Sequence, residues 1–362
     1  MNKRIALYLV SYAGGGAERE MIYLANEFSD RGYLVDLIVH RNKGPLRDLV
    51  SDEVNVIDID KSYIYDVFFL AYYMRNEKPL FVLSTLHLPN WALSIAKLFS
   101  FSKTKISWRV VISLSDSKKD GKGLVSRCLS FCYPILSNNV NKIICVSNGV
   151  ADDLISNFSI APNKIKIMYN PAYTPEIHKL ASEEIDHVWF NNEYNTIVSL
   201  GRLSTQKDFK TLILSFRIVK DQIDNARLII FGDGDLKDDL QDLIDKLDLS
   251  DFVELFGFEV NPYKYLAKSN LFVLSSIYEG FGNVIVEALA LNIPVVSTDC
   301  PSGPAEILED GKWGALVKVG DYNSLASSIV DSLEASVSKV TLLRAEEFSV
   351  EKVVDGYIDM FK

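Results

Sequence analysis

Six consecutive residues, Tyr278-Glu279-Gly280-Phe281-Gly282-Asn283, combine a carboxylate, an aromatic ring between two glycines and a short amide side chain. The glycines let the backbone come very close to a bound molecule. Asn283 is expected as the N-cap of the apolar helix that follows, leaving free N–H groups and the positive end of the helix dipole facing whatever sits above. Glu279 stands just before the turn and Glu287 about one turn into the helix, so the two carboxylates reach hydroxyls at different depths. Upstream, Arg202 and Lys207 stand at the ends of the loop Gly201–Lys207. There a guanidinium fork and a point-charge ammonium can close on a diphosphate from two sides. This set suits a polyol carrying phosphate. A plain strand-turn-helix with a solvated glutamate on each side would use the same residues, so the stretch alone does not decide the function.

The elements that must position these groups follow from the apolar pattern. Strand Leu271–Leu274 leads into the turn. Before it come Thr196–Leu200, then a helix burying Phe209, Leu212, Ile213, Phe216 and Val219 at helical spacing. Leu228–Phe231 follows, ending in Gly232-Asp233-Gly234-Asp235, and then Val253–Phe256 with Gly257-Phe258. Pro294–Ser297 is a further strand. Asn292 can supply the left-handed residue that ends the preceding helix. Residues 300–307 read as a rigid Pro/Ser/Gly loop, and 311–318 as a hairpin-like excursion.

The first half carries its own α/β series. Ile5–Val10 is a buried strand, Gly14-Gly15-Gly16-Ala17-Glu18-Arg19 a close-approach turn, and Met21, Ile22, Leu24, Ala25 and Phe28 one side of a helix. Tyr33–Val39, Val54–Ile59, Leu80–Ser84, Lys105–Ile112, Lys142–Val146 and Ile165–Met168 are further strands. Thr85–Trp91 reads as a loop at a strand's C-terminal end, where open α/β sheets bind ligands, and it holds His87. A lone histidine there more often serves structure than catalysis. The turn is not G-x-G-x-x-G, and Asp36 lies inside a strand pattern, so a nicotinamide oxidoreductase fits poorly. The reading is α/β, with two doubly wound, Rossmann-like parallel-sheet domains facing across a cleft. Their bounds are 1–171 and 196–347, joined by a linker at 172–195, with the helical segment 348–362 packing back on the first.

Composition limits the alternatives. Of 362 residues, 48% are hydrophobic and 24% charged, soluble-globular values. No run of about 18 apolar residues exists, so no spanning helix is expected. The four cysteines form no CxxC pair and no Cys/His cluster, which points to a reduced, cytoplasmic compartment and away from structural zinc. Residues 1–185 carry a net +3 and residues 186–362 a net −13. Lys97, Lys103, Lys105, Arg109, Lys118, Lys119, Lys122 and Arg127 are interleaved with apolar residues, which fits an anionic membrane face or a lipid phosphate. An ordinary solvated face fits the same composition. Nucleic acid fits less well, because the whole chain is acidic and no recognised module is present.

Leu200-Gly201-Arg202-Leu203…Lys207, Gly232-Asp233-Gly234, Glu279-Gly280-Phe281-Gly282…Glu287-Ala288 and Pro294-Val295-Val296 resemble the retaining, nucleotide-sugar-dependent glycosyltransferases of family 4, with the GT-B fold. The glycine loop at 14–19 resembles that of the branch acting on bacterial surface-polysaccharide and lipid-linked oligosaccharide precursors. The resemblance implies that Arg202 and Lys207 stabilise the departing diphosphate and that Glu287 holds ribose hydroxyls. It implies that Glu279 and the backbone of Gly280, Phe281, Gly282 and Asn283 grip the donor sugar. Gly232 belongs to the same donor site, and the base meets residues around Gly257 and Phe258. Gly15, Gly16 and Arg19 would lie at the acceptor edge, with His87 and Arg109 as further acceptor candidates.

Many relatives have His or Glu just after the strand that ends here at Arg109-Val110-Val111-Ile112-Ser113; Arg109 would instead meet an acceptor phosphate. The resemblance further implies no cofactor besides the nucleotide sugar, UDP-linked by expectation, and no metal, because cations and the helix dipole do its electrostatic work. The implied acceptor is a lipid-linked glycan, met through peripheral contact at the inner face of the cell membrane. A glycoside hydrolase would also use two carboxylates, but without need of Arg202 and Lys207. A non-catalytic sugar-nucleotide binder is the other alternative.

Overall fold

The computed structural model describes residues 3–116, 132–191, 193–335 and 340–361. The chain divides into two compact units, residues 1–171 with 350–362, and residues 172–349. Lys118, Lys119, Lys122, Arg127 and Cys128 lie outside the described residues.

Unit 1 is built on β1 (Arg4–Ser11), β2 (Leu34–Arg41), β3 (Asn55–Asp58), β4 (Phe81–Thr85), β5 (Lys105–Val110), β6 (Lys142–Cys145) and β7 (Ile165–Ile167). All are parallel, in the order β3-β2-β1-β4-β5-β6-β7. Ile5 to Leu9 are wholly buried, as a strand covered by helices on both faces requires. Helices α1 (Gly16–Asp30), α2 (Tyr63–Asn76) and α3 (His87–Ser100) make the crossovers. On one side α1 turns Met21, Ile22, Leu24, Ala25 and Phe28 inward, and Val353, Val354 and Tyr357 of the helix Val350–Phe361 join that core. Phe28 is its hub, edge-on to Tyr33, Phe81 and Tyr357.

Unit 2 holds β8 (Asn195–Leu200), β9 (Ala226–Phe231), β10 (Val253–Gly257), β11 (Leu271–Leu274), β12 (Val295–Thr298) and β13 (Ala315–Val317), parallel in the order β10-β9-β8-β11-β12-β13. Strand order reverses between β8 and β11. The crossovers leaving these neighbours diverge, which opens a crevice at their carboxyl ends. The Arg202–Lys207 loop follows β8 and the Glu279 turn follows β11, so residues far apart in sequence are brought to one point.

Three expectations are corrected. Thr85–Trp91 is not a loop: Leu86, at φ +70°, turns the chain and α3 begins at His87. Pro89 fits there because the first-turn N–H groups of a helix have no internal partner. The stretch 172–195 is no open linker; it contains the helix Glu176–Ala181, buries Ile177, and Leu180 O accepts a 2.9 Å bond from Asn261 Nδ2 within unit 2. Residues 311–318 make no hairpin, since β13 pairs parallel to β12 from Val296↔Ala315 to Thr298↔Val317. Leu342–Ala345 and Glu346–Phe348 belong to unit 2, and Val350–Phe361 to unit 1.

Replacing Phe28 by Ala should cost about 3–5 kcal/mol in unit 1. Denaturant unfolding followed by circular dichroism should show an early transition that the wild-type protein lacks.

Candidate functional site

The crevice of unit 2 is organised by one ion pair. Lys207 Nζ lies 2.6 Å from Glu279 Oε1, across 72 residues of sequence, with both side chains mostly buried. Ser276 Oγ donates to the same carboxylate oxygen at 2.7 Å. The two loops are laced together by backbone: Ile277 N donates to Gln206 O at 2.8 Å, and Gln206 Nε2 to Tyr278 O at 3.0 Å. Ser275 Oγ holds Lys207 O at 2.7 Å, and Thr298 Oγ1 holds Ser276 O at 2.6 Å. The Lys207 stem lies over Gly201, where an added Cβ would come within 2.9 Å of Lys207 Cε. Gly232, at φ +139°, packs so tightly that a Cβ would stand 1.9 Å from Gly201 O. Both glycines therefore serve close packing of the loops above the sheet.

The helix after the turn starts one residue away from expectation. Its N-cap is Gly282 at φ +105°, and Asn283 is the first helical residue, with no side-chain cap bond. An αL-type entry favours glycine over asparagine, and Ile285 N closes the first turn on Gly282 O at 2.9 Å. Glu287, half-buried on this helix, accepts a 3.2 Å bond from Tyr263 Oη. Arg202 is exposed and, among the described residues, makes no ion pair. At the end of β10, Gly257 has open space above it and Phe258 is 70% exposed, a ring face free to take a planar group. Buried Cys300 lies close enough to Glu279 and Lys207 for their charges to act on it. Burial first, and then the carboxylate, pushes its thiol up to about 12, so it stays an unreactive thiol. Ser276, Thr298, Gln206 and Tyr263 were not found by sequence reasoning. The signal was there in the hydroxyls of Ser275-Ser276, directly after an apolar strand.

In unit 1, Gly15 is the N-cap of α1, and Glu18 folds back so that its Oε2 would lie 2.5 Å from a Cβ on Gly15. Gly16 is exposed and Arg19 half-buried, beside the same helix start. Arg109 is wholly enclosed. Its Nη2 donates to Glu20 Oε2 at 2.5 Å and to Asn170 Oδ1 at 2.6 Å, and Asn170 Nδ2 closes the triangle on Glu20 Oε1 at 2.7 Å. Burial opposes the charge of Arg109, but Glu20 outweighs it and keeps the guanidinium ionised. Arg109 thus ties β5 to α1. His87 opens α3 with Nδ1 unpartnered, its ring edge-on to Tyr133 at 6.1 Å. Burial pushes its pKa down, so the imidazole is neutral at pH 7. Asp36 is held in the sheet by Arg4 at 2.7 Å and Asn55 at 2.6 Å. Among the described residues, no group of three or more His, Cys, Asp or Glu is placed to hold a metal ion.

Two parallel-sheet α/β units, the second carrying a cation–carboxylate crevice at its switch point, define the GT-B class of glycosyltransferase folds. Anabaena Alr3699/HepE, solved in complex with UDP-glucose, has this fold. It superposes with a TM-score of 0.81 at 19% identity, over 99% of this chain and 98% of that one. The family described as Glycosyl transferases group 1 matches residues 182–342, and Glycosyltransferase Family 4 matches residues 14–174.

The N-acetylgalactosamine-N,N'-diacetylbacillosaminyl-diphospho-undecaprenol 4-alpha-N-acetylgalactosaminyltransferase of Campylobacter jejuni is 35% identical over 69% of this chain. The match spans 66% of that relative's length, just under two thirds. The amylovoran biosynthesis glycosyltransferase AmsD of Erwinia amylovora is 27% identical over 89% of this chain and 87% of its own. The chain belongs to the group 1, family 4 glycosyltransferases.

A neutral His87 makes stability depend on pH. Its folded pKa lies below the unfolded value of about 6.5, so the unfolded chain takes up the proton first and stability falls as pH drops below that value. His87→Gln should melt at a temperature less sensitive to pH between about 7.5 and 5.5. Thermal melts of both proteins across that range check the sign.

Proposed function

We propose that this protein is a retaining, metal-independent glycosyltransferase of surface-polysaccharide assembly. It moves a hexose or N-acetylhexosamine from a UDP-linked donor to a lipid-diphosphate-linked glycan at the cytoplasmic face of the membrane. The observation that carries this reading is the Lys207–Glu279 pair, 2.6 Å apart, with Glu279 in the turn that leads to the N-terminus of the helix Asn283–Ala290. It combines a cation for a diphosphate with a carboxylate for sugar hydroxyls. The C. jejuni relative, whose acceptor is a diphospho-undecaprenol glycan, supports a lipid-linked acceptor. The UDP-glucose complex of HepE supports a UDP-sugar donor.

In the transfer, the acceptor oxygen bonds to the anomeric carbon as the bond from that carbon to the phosphate oxygen breaks. The acceptor proton passes to the departing phosphate on the same face, so no carboxylate forms a covalent intermediate. Lys207 and Arg202 meet the charge that develops on the diphosphate, supported by the dipole of the helix that begins at Asn283. Glu287 holds ribose hydroxyls and Phe258 stacks on the base. Gly15, Gly16 and Arg19 line the acceptor end, with neutral His87 as a hydrogen-bonding group. Arg109, closed on Glu20, positions α1 from behind.

Lys207→Ala and Glu287→Ala should each lower kcat/KM by about 10²–10³-fold with the circular dichroism spectrum unchanged. The assay is release of UDP from a panel of UDP-sugars with lipid-diphosphate acceptors, read by mass spectrometry. Wild-type rates in both variants would remove the assignment. UDP binding without turnover on any acceptor would favour a sugar-nucleotide binder, and glycan cleavage without nucleotide a hydrolase.

A further inference from the structure

Asn292 ends the helix Asn283–Ala290 in the left-handed conformation, at φ +57°. Glycine takes that conformation without strain, so the turn alone gives no reason for a side chain. The amide has a task of its own. Asn292 Oδ1 accepts from Thr341 N at 3.0 Å and from Leu342 N at 3.2 Å. Thr341 Oγ1 donates in turn to Leu289 O at 2.7 Å, a carbonyl in the last turn of that helix. The segment Thr341–Phe348 is therefore pinned to the far end of the helix that the Glu279 turn begins.

Within this segment Arg344 is buried, and all three of its guanidinium nitrogens are engaged. Nε donates to Ile307 O at 2.8 Å and Nη2 to Glu306 O at 2.7 Å, carbonyls at the C-terminal end of the helix Pro304–Leu308. Nη1 lies 2.7 Å from Glu347 Oε2 and 3.1 Å from Glu309 Oε1. The guanidinium also covers the Phe348 ring, 4.7 Å from its centroid. A rigid fork can hold two neighbouring carbonyls and stack at once, which a lysine cannot do.

Both attachments lead to the Glu279 turn. Along the first, the loop before Pro304 grips the turn's backbone: Glu279 N donates to Pro301 O at 3.2 Å, and a Cβ on Gly303 would stand 1.8 Å from Phe281 O. Along the second, Phe348 meets Phe281 edge-on, 5.3 Å between centroids, with both rings buried. One residue thus fixes the main chain and the ring of Phe281 from two directions. Arg202 and Lys207 belong to the loop after β8, which this brace does not include.

We propose that Arg344, with Asn292 anchoring its segment, is a positioning residue for the donor sugar: it holds the Glu279–Asn283 backbone in place without touching substrate. This deepens the reading of that turn as the sugar grip and rests on it. Two variants isolate the brace. Arg344→Lys keeps the charge and loses the fork, and Asn292→Gly keeps the left-handed backbone and loses the amide. Hydrogen exchange read by mass spectrometry should quicken by about threefold or more in peptides covering 279–285, and stay at wild-type rates in β8 and β9. With the UDP-sugar that the wild type turns over, kcat/KM should fall by about 10–10²-fold in Arg344→Lys and by less in Asn292→Gly. UDP affinity, read by calorimetry, should stay within about twofold, because the nucleotide is held by other groups. Wild-type exchange at the turn in either variant would overturn the part assigned to that residue. Equal losses for UDP binding and for transfer would overturn the proposal, as would a lower melting temperature with kcat/KM unchanged. Failure of the donor reading itself looks different: wild-type protein would bind no UDP, while the exchange difference at the turn would persist.

Discussion

The contact between Lys207 and Glu279 is the constraint on which the crevice depends. Two opposite charges with little access to water are held in register by loops that leave adjacent strands of a parallel sheet. Removing either partner would leave the other charge stranded, which costs far more than the net worth of the pair. Ser276 on the shared oxygen, and the Lys207 stem laid across Gly201, make this geometry a property of the scaffold. Gly232, pressed against the Gly201 carbonyl, stabilises the same loop from the β9 side. The polar groups are thus positioned before any ligand arrives, as electrostatic stabilisation of a leaving group requires.

Much of this was legible in the sequence because the signals are local. Short apolar runs ending in glycine, alternating with helical spacing such as Phe209, Leu212, Ile213 and Phe216, specify parallel α/β units. Arg202, Lys207, Glu279 and Glu287 could be named from residue type and spacing. Asn292 is left-handed, at φ +57°, as its place at a helix end suggested. The misses have local causes too. Gly282 and Asn283 can both begin a helix, and only the backbone tells which does. Thr85–Trp91 looked like a loop because it follows a strand's C-terminal end, yet the helix begins two residues after that strand, with Pro89 tolerated in its first turn. Helix Glu176–Ala181 was hidden because a single apolar anchor, Ile177, carries its packing.

The long-range facts were not legible at all. Arg109 meets Glu20 across 89 residues and Asn170 across 61, and no pattern in one sequence encodes such a meeting. A buried charge of this kind looks, on paper, like any basic residue in an apolar stretch. α2 posed the reverse problem. Its segment is apolar almost all round, so periodicity cannot say which face is covered. Only the fold shows that Ile64, Phe68 and Tyr72 are turned away from the core, with Asp66 turned into it.

The helix Val350–Phe361 has a consequence for how the molecule is made. It completes the core around Phe28, yet it is translated after every residue of unit 2. Unit 1, begun first, waits with its α1 side unfilled until that helix is made. The interval with that core uncovered is when a chaperone would find the nascent chain.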